Sequence, residues 1–203
     1  MDQAHATGVG MRIFGVILAG GTGRRMGGVD KALLGLNGTP MVQHVQDRFE
    51  PQVERLAISA NGDATRLAFT GLPILPDAQS QGPLSGVLAA LDWAEGADAV
   101  VSVAVDTPFF PGDLVPRLWL AGEGRLAVAS SAGRWHPTFA LWPRGLRGAL
   151  RDYLATGGAR VMAFCEAQGA VEAPFPASDP DPFTNLNTPA DLARAETLLR
   201  CAD

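Results

Sequence analysis

The chain has 203 residues, 47% of them hydrophobic and 18% charged, with a formal net charge of −5. That length suits one domain, the apolar share supplies a core and excludes global disorder, and the acidic balance argues against a DNA or RNA binder. The two cysteines, Cys165 and Cys201, lie in no C-x-x-C pattern, so they offer neither a zinc site nor a disulfide framework and suit a reducing cytoplasm.

Residues 1–10 lack the apolar centre of a signal peptide and read as a flexible extension, with Met11 a second candidate start; residues 11–203 form the single domain. No apolar run approaches the ~20 residues that cross a bilayer, so the chain is expected to be cytoplasmic, without a membrane partner. Ile13-Phe14-Gly15-Val16-Ile17-Leu18 is short, β-branched and followed by glycines, and predicts a buried first strand. Asn37-Gly38 marks a tight turn. Thr39 and Pro40 then suit an N-cap and first helical position. Met41, Val45, Phe49 and Val53 recur every four residues as the apolar stripe of a helix, which Pro51 ends or bends.

A second strand is predicted over Leu56–Asn61, a short helix over Asp63–Phe69 and a short extended segment over Pro73–Asp77. Gly82-Pro83-Leu84-Ser85-Gly86 opens a helix that buries Leu84, Val87, Leu88 and Leu91. Ala99–Val105 is apolar almost throughout, as a central parallel strand covered on both faces should be, and Asp106 stands at its end. Strand, loop and helix alternating with right-handed crossovers predict an α/β fold: a doubly wound, mostly parallel, Rossmann-like sheet flanked by helices. Ligands of such a sheet bind beyond the carboxyl ends of its strands, where Lys31, Asn61, Asp77 and Asp106 fall.

The second half changes rhythm. Leu126–Ser131 and Thr138–Trp142 around Ala132-Gly133 predict a small antiparallel element. Helices follow around Leu146, Leu150 and Leu154 and from Ala159 to Glu166, then an irregular proline-rich stretch from Pro174 to Pro182. A last helix is capped by Thr188 with Pro189 and Asp191 behind it, and Leu192, Leu198 and Leu199 are expected to pack it on the sheet.

Chemistry concentrates in Leu18-Ala19-Gly20-Gly21-Thr22-Gly23-Arg24-Arg25-Met26-Gly27-Gly28-Val29-Asp30-Lys31. Its glycines let main-chain N–H groups approach an anion, and two arginines and a lysine add positive charge, a combination suited to a polyphosphate. Neither common phosphate motif fits. Gly27 comes one position late for G-x-G-x-x-G, and no Gly-Lys-Ser/Thr follows for a P-loop.

The pattern L-x-G-G-x-x-x-R-M-G-x-x-x-K, met by Leu18, Gly20, Gly21, Arg25, Met26, Gly27 and Lys31, resembles the signature loop of nucleotidyltransferases that activate a phosphate ester with an NTP. More narrowly, the chain is similar to the MobA-like family, and within it to molybdenum cofactor guanylyltransferases, over nearly everything after Met11. The resemblance implies GTP and molybdopterin, with or without molybdenum, as substrates and molybdoenzyme apoproteins or chaperones as further partners. Pairing of Ala19-Gly20-Gly21 with Gly82-Pro83-Leu84 looks more like the guanine-using than the cytidine-using branch.

Because nucleotidyl transfer depends on alignment and on neutralising charge at phosphorus, backbone from Leu18 to Gly21 is assigned to the triphosphate, with Lys31 and Arg25 as catalytic cations. Asp106 supplies the hard oxygen that Mg²⁺ prefers; it could equally cap the Thr107-Pro108 turn. The resemblance places base and ribose recognition at Ser59, Asn61, Asp77, Gly82 and Pro83, and links Asn185-Leu186-Asn187-Thr188-Pro189 to the pterin. His136 and Arg160 are the remaining acceptor-side candidates, although a lone histidine is as readily structural. Rival functions are cytidylyl transfer to the same pterin, NMP transfer to a sugar phosphate, or a non-catalytic nucleotide-binding module that delivers cofactor.

Overall fold

The computed structural model describes residues 11–20, 22–23, 29–76 and 82–202, with backbone alone at 22–23, 29 and 201–202. Seven strands form one sheet: β1 (Ile13–Leu18), β2 (Arg55–Ser59), β3 (Ile74–Leu75), β4 (Ala99–Ala104), β5 (Ala127–Ser131), β6 (Arg134–Pro143) and β7 (Val171–Pro174). Their order is β3-β2-β1-β4-β6-β5-β7, and β6 alone runs against the others. Helices α1 (Met41–Phe49), α2 (Pro83–Trp93), α3 (Leu114–Gly122), α4 (Arg147–Ala155), α5 (Val161–Ala167) and α6 (Pro189–Ala202) complete the framework. This is the doubly wound α/β architecture expected from the alternation of elements.

Both sheet faces are apolar because both are covered. On one, Ile17, Ile58, Val101 and Val103 pack with Val45 and Phe49 of α1 and Leu114 and Leu118 of α3. On the other, Phe14, Val16 and Val100 pack with Leu84, Val87 and Leu91 of α2 and with Leu150 and Phe164 of α4 and α5. Every residue of β4 is buried, including Ser102, whose hydroxyl donates to the Thr138 carbonyl and accepts from the Trp142 indole. That polar group is satisfied, so its burial carries little penalty.

Several boundaries differ from expectation. Pro40 rather than Thr39 is the N-cap of α1, because Gly35–Leu36 and Thr39–Pro40 pair as a ribbon across the left-handed Asn37-Gly38 turn. The helix stops at Phe49 and a 3₁₀ turn holds Pro51, leaving Val53 in extended backbone outside the stripe. Regular pairing in β2 ends at Ser59, two residues before Asn61. In place of the sheet, α6 covers Leu36, Met41 and Leu186 with Leu192, Ala195 and Leu199, while Leu198 is exposed.

Two elements carried no clear sequence signal. α3 follows Pro111 and Gly112 and contains Pro116, yet that proline sits in its first turn, where no intrahelical N–H partner is lost. β7 is a four-residue edge strand ending in Pro174, which the sheet tolerates only at an edge.

Candidate active site

β1 and β4 are parallel neighbours with Leu18 opposite Ala104, and the chain leaves them for strands toward opposite edges of the sheet. Their carboxyl ends therefore flank a crevice, the place where such sheets bind ligands. Strand-like bonding continues past the ends: Ala19 donates to the Ser59 carbonyl at 2.8 Å and Val105 donates to the Leu18 carbonyl at 3.1 Å. Asp106 follows at once.

A two-stranded ribbon, Thr22–Gly23 against Val29–Asp30, returns the glycine-rich segment to the same crevice. Asp30 then caps a 3₁₀ turn over Lys31–Leu33, its Oδ1 accepting from the Ala32 N–H at 3.0 Å. This aims Lys31 across the sheet edge. Its Nζ donates to Asp106 Oδ2 at 2.8 Å and to Asn187 Oδ1 at 2.5 Å. The Lys31 and Asp106 side chains are only 17% and 15% exposed, so the pair is weakly screened yet still open to a ligand.

The Asn185–Asn187 segment is fastened to the same point. Leu186 donates its N–H to the Asp106 carbonyl at 2.7 Å, while the buried Thr107 hydroxyl lies 3.2 Å from Asn185 Oδ1 and 3.4 Å from Asp106 Oδ1. A capping box fixes the following helix: Asp191 Oδ2 accepts from the N–H groups of Asn187 and Thr188, and Asp191 N–H donates to Thr188 Oγ1. The Thr188 side chain, with the N–H groups of Asn187 and Thr188, holds the Asp191 carboxyl below its ordinary pKa. Residues assigned separately to nucleotide, metal and acceptor thus share one hydrogen-bonded cluster.

Other candidates sit around it. Ser59 is buried beneath Gly86 of α2 and contributes its carbonyl to Ala19. Asn61 lies half-buried beyond β2, and Gly82 and Pro83 form the exposed entrance to α2, Gly82 with φ of +89°. His136 stands at the start of β6, on the same sheet edge because β6 runs antiparallel. Its Nε2 is 2.7 Å from Ser131 Oγ, and its ring stacks on Phe183 with centroids 4.5 Å apart. Burial lowers the His136 pKa, with Arg134 adding to the effect and Asp181 opposing it. Arg160 is exposed ahead of α5, where its carbonyl accepts from Tyr153, and makes no contact with the Lys31 cluster among the described residues. Gly21, Arg24, Arg25 and Asp77 lie outside the described residues.

Arg66 escaped the sequence reading. Its Nε lies 3.0 Å from Asp30 Oδ2 and its Nη2 donates to the Asn61 carbonyl at 3.1 Å, so one guanidinium ties the foot of the glycine-rich loop to the end of β2. Asp30 Oδ2 and Arg66 Nη1 are both sealed from solvent without a hydrogen bond, so charge rather than aligned donation holds this side of the contact. Only the Asp-Lys and Asn-x₄-Arg spacings could have hinted at it.

No group of three or more His, Cys, Asp or Glu side chains is arranged to hold a metal among the described residues. A single carboxylate, Asp106, beside the neutral oxygens of Thr107 and Asn185 is a donor set for a hard cation that takes most of its ligands from water and substrate phosphates.

A family model described as the MobA-like NTP transferase domain matches residues 15–171. The chain belongs to this family. Membership makes it a nucleotidyltransferase, a class that generally works with a divalent metal. Within the family it is 62% identical over 192 residues to a molybdenum cofactor guanylyltransferase of Cereibacter sphaeroides, covering 94% of this chain and 98% of the relative. Among solved structures, molybdopterin-guanine dinucleotide biosynthesis protein A from Archaeoglobus fulgidus shares the fold with a TM-score of 0.75 at 21% identity, over 93% of this chain and 99% of that one. A Mycobacterium tuberculosis H37Rv protein in complex with manganese shares it with a TM-score of 0.65 at 18% identity, over 92% and 99% of the two chains.

Proposed function

We propose that the chain transfers GMP from GTP to the terminal phosphate of molybdopterin, forming the guanine dinucleotide cofactor and pyrophosphate, with Mg²⁺ as the working ion. The name of the 62% identical relative supports the substrate pair. The observation that carries the reading for this chain is the meeting of Lys31, Asp106 and Asn187 at the carboxyl ends of β1 and β4. It joins a phosphate-loop cation, a carboxylate and the segment assigned to the acceptor.

The pterin phosphate oxygen attacks the α-phosphorus in line. The new O–P bond forms as the bond from the α-phosphorus to the bridging oxygen breaks, and the departing pyrophosphate keeps that electron pair. The attacking phosphate is already anionic, so no covalent enzyme intermediate and no strong base is required. Lys31 exchanges Asp106 for phosphate oxygens and stabilises the charge that develops on them. Asn187 orients the ammonium, and the amides that follow Ala19, whose own N–H is taken by the Ser59 carbonyl, grip the triphosphate together with Arg25 while Leu18 and Ala19 border it. Ser59, Asn61, Asp77, Gly82 and Pro83 frame base and ribose, while Asn185, His136 and Arg160 serve the acceptor. Asp106, helped by neighbouring neutral oxygens, would hold Mg²⁺, which supplies charge neutralisation on the phosphates.

Pyrophosphate release is measured with the pterin, Mg²⁺ and GTP, CTP or UTP in competition. GTP-dependent pyrophosphate and the dinucleotide product are expected. Preference for CTP would overturn the guanine assignment, and nucleotide binding without pyrophosphate would favour a delivery module.

A further inference from the structure

Ser131, at the carboxyl end of β5, is almost fully buried, yet its hydroxyl touches two polar side chains. Its Oγ is 2.6 Å from Asp181 Oδ2 and 2.7 Å from His136 Nε2. A hydroxyl has one proton, and a carboxylate accepts only. The Ser131 proton is therefore committed to Asp181, and the Ser131 lone pair must receive a proton from Nε2. Neutral His136 then carries its proton on Nε2 and has its lone pair on Nδ1.

The surroundings fix the ring as well as its proton. The second Asp181 oxygen, Oδ1, accepts the Phe183 N–H at 2.8 Å, and the Asp181 carbonyl accepts from Thr184 at 3.0 Å, so the carboxylate belongs to a tight turn. Phe183 stacks on the imidazole at 19° between planes and meets Phe139 and Phe175 edge-on. The chain that leaves this turn presents Asn185 to the Thr107 hydroxyl, the Leu186 N–H to the Asp106 carbonyl and Asn187 to Lys31. His136 is itself only half-buried.

We propose that Asp181 and Ser131 are positioning residues that hold His136 as the Nε2–H tautomer, so that Nδ1 is the hydrogen-bond acceptor for an N–H group of the pterin. The aminopyrimidinone ring of a pterin is rich in such donors. This ligand assignment rests on the proposed reaction; the tautomer does not. Burial of the imidazole, which disfavours its charged form, works in the same direction.

Long-range ¹H–¹⁵N spectra of the histidine side chains of the full chain test the tautomer, with His136 identified by the signal lost in His136→Gln. The wild type is expected to show the proton on Nε2. Asp181→Ala frees the Ser131 hydroxyl to donate to Nε2 and is expected to shift the proton toward Nδ1. A wild-type proton on Nδ1, or an unchanged tautomer in Asp181→Ala, overturns the proposal. In turnover, Ser131→Ala and Asp181→Ala are expected to raise the KM for metal-free molybdopterin about tenfold and to change the KM for GTP less than twofold, with Ser131→Thr restoring the wild-type value. Equal changes in both KM values would mark a merely structural role and overturn it. Failure of the wild type to turn over any pterin overturns the proposed reaction instead, and the spectra separate that failure from this one.

Discussion

Lys31 Nζ and Asp106 Oδ2, 75 residues apart in sequence, lie 2.8 Å apart at the neighbouring carboxyl ends of β1 and β4. Each holds the other's charge, and in the proposed reaction the ammonium passes to a phosphate and the carboxylate to a cation. Removing either one abolishes its own role and leaves its partner mispaired. Lys31→Ala is expected to lower turnover at least tenfold, about 1.4 kcal/mol of barrier. Asp106→Asn should lower it similarly and shift the Mg²⁺ requirement upward. The double variant should lose less than the product of the two single losses, because one site is being dismantled twice. Initial rates of pyrophosphate release across a Mg²⁺ titration measure all three.

Arg66 offers a contrasting case, since it acts through the residues it holds. With Asp30 and Arg66 side chains about one quarter exposed and their contact not aligned for hydrogen bonding, the pair is a modest source of stability. Its larger effect is on the direction of Lys31. Arg66→Ala is expected to lower kcat several-fold with a small fall in stability, and Asp30→Asn to reproduce the kinetic loss. A double-mutant cycle on kcat checks this: strongly sub-additive losses are expected from residues that share one function.

Much of this arrangement could be read from the chain before any coordinates. Ile13–Leu18 and Ala99–Ala104 are apolar on both faces because α1, α2 and α3 cover them, and continuous apolar runs say so directly. Lys31 and Asp106 were legible because each follows such a strand in a recognisable motif. The contact of Asn187 with Lys31 was not, since 156 residues separate them and the bonds that bring the last segment across, Leu186 to Asp106 and Thr107 to Asn185, are themselves long-range. Arg66 was silent for the same reason. Its meaning lies in Asp30, a residue on another element, and a local pattern cannot display a non-local pair. α3 was hidden by prolines that are harmful inside a helix and harmless in its first turn.

Gly86 marks where α2 closes on the carboxyl ends of β1 and β2. A Cβ there would stand 2.6 Å from Ser59 Oγ and 2.8 Å from Leu18 Cδ2. Alanine favours a helix over glycine by about 1 kcal/mol, but overpacking costs about 1–3 kcal/mol, and the buried Ser59 hydroxyl has little space into which to turn. Gly86→Ala is expected to lower Tm by a few degrees and to raise the KM for GTP, because Leu18 and Ser59 both border the crevice. Thermal unfolding and initial rates check the two halves separately.

Cys165, on the buried face of α5, lies in the apolar layer that α4 and α5 share with the sheet, with its thiol free. Burial, reinforced by the charge of Glu166, pushes its pKa up to about 12. The reactive form is the thiolate, and raising the pKa of an acid reduces its ionised fraction at every lower pH. At pH 8 the thiolate of the folded chain is therefore on the order of one part in ten thousand, before access is considered. In a Cys201→Ser background, a disulfide-exchange reagent at pH 8 is expected to leave the folded chain unlabelled and to react stoichiometrically once denaturant is added. Raising the pH from 8 toward 9 should raise any direct labelling of the folded chain about tenfold, because its thiolate fraction lies far below one half, against about threefold for the unfolded thiol, whose ordinary pKa of about 8.5 lies within the range scanned. Prompt labelling of the native chain would place Cys165 outside the core.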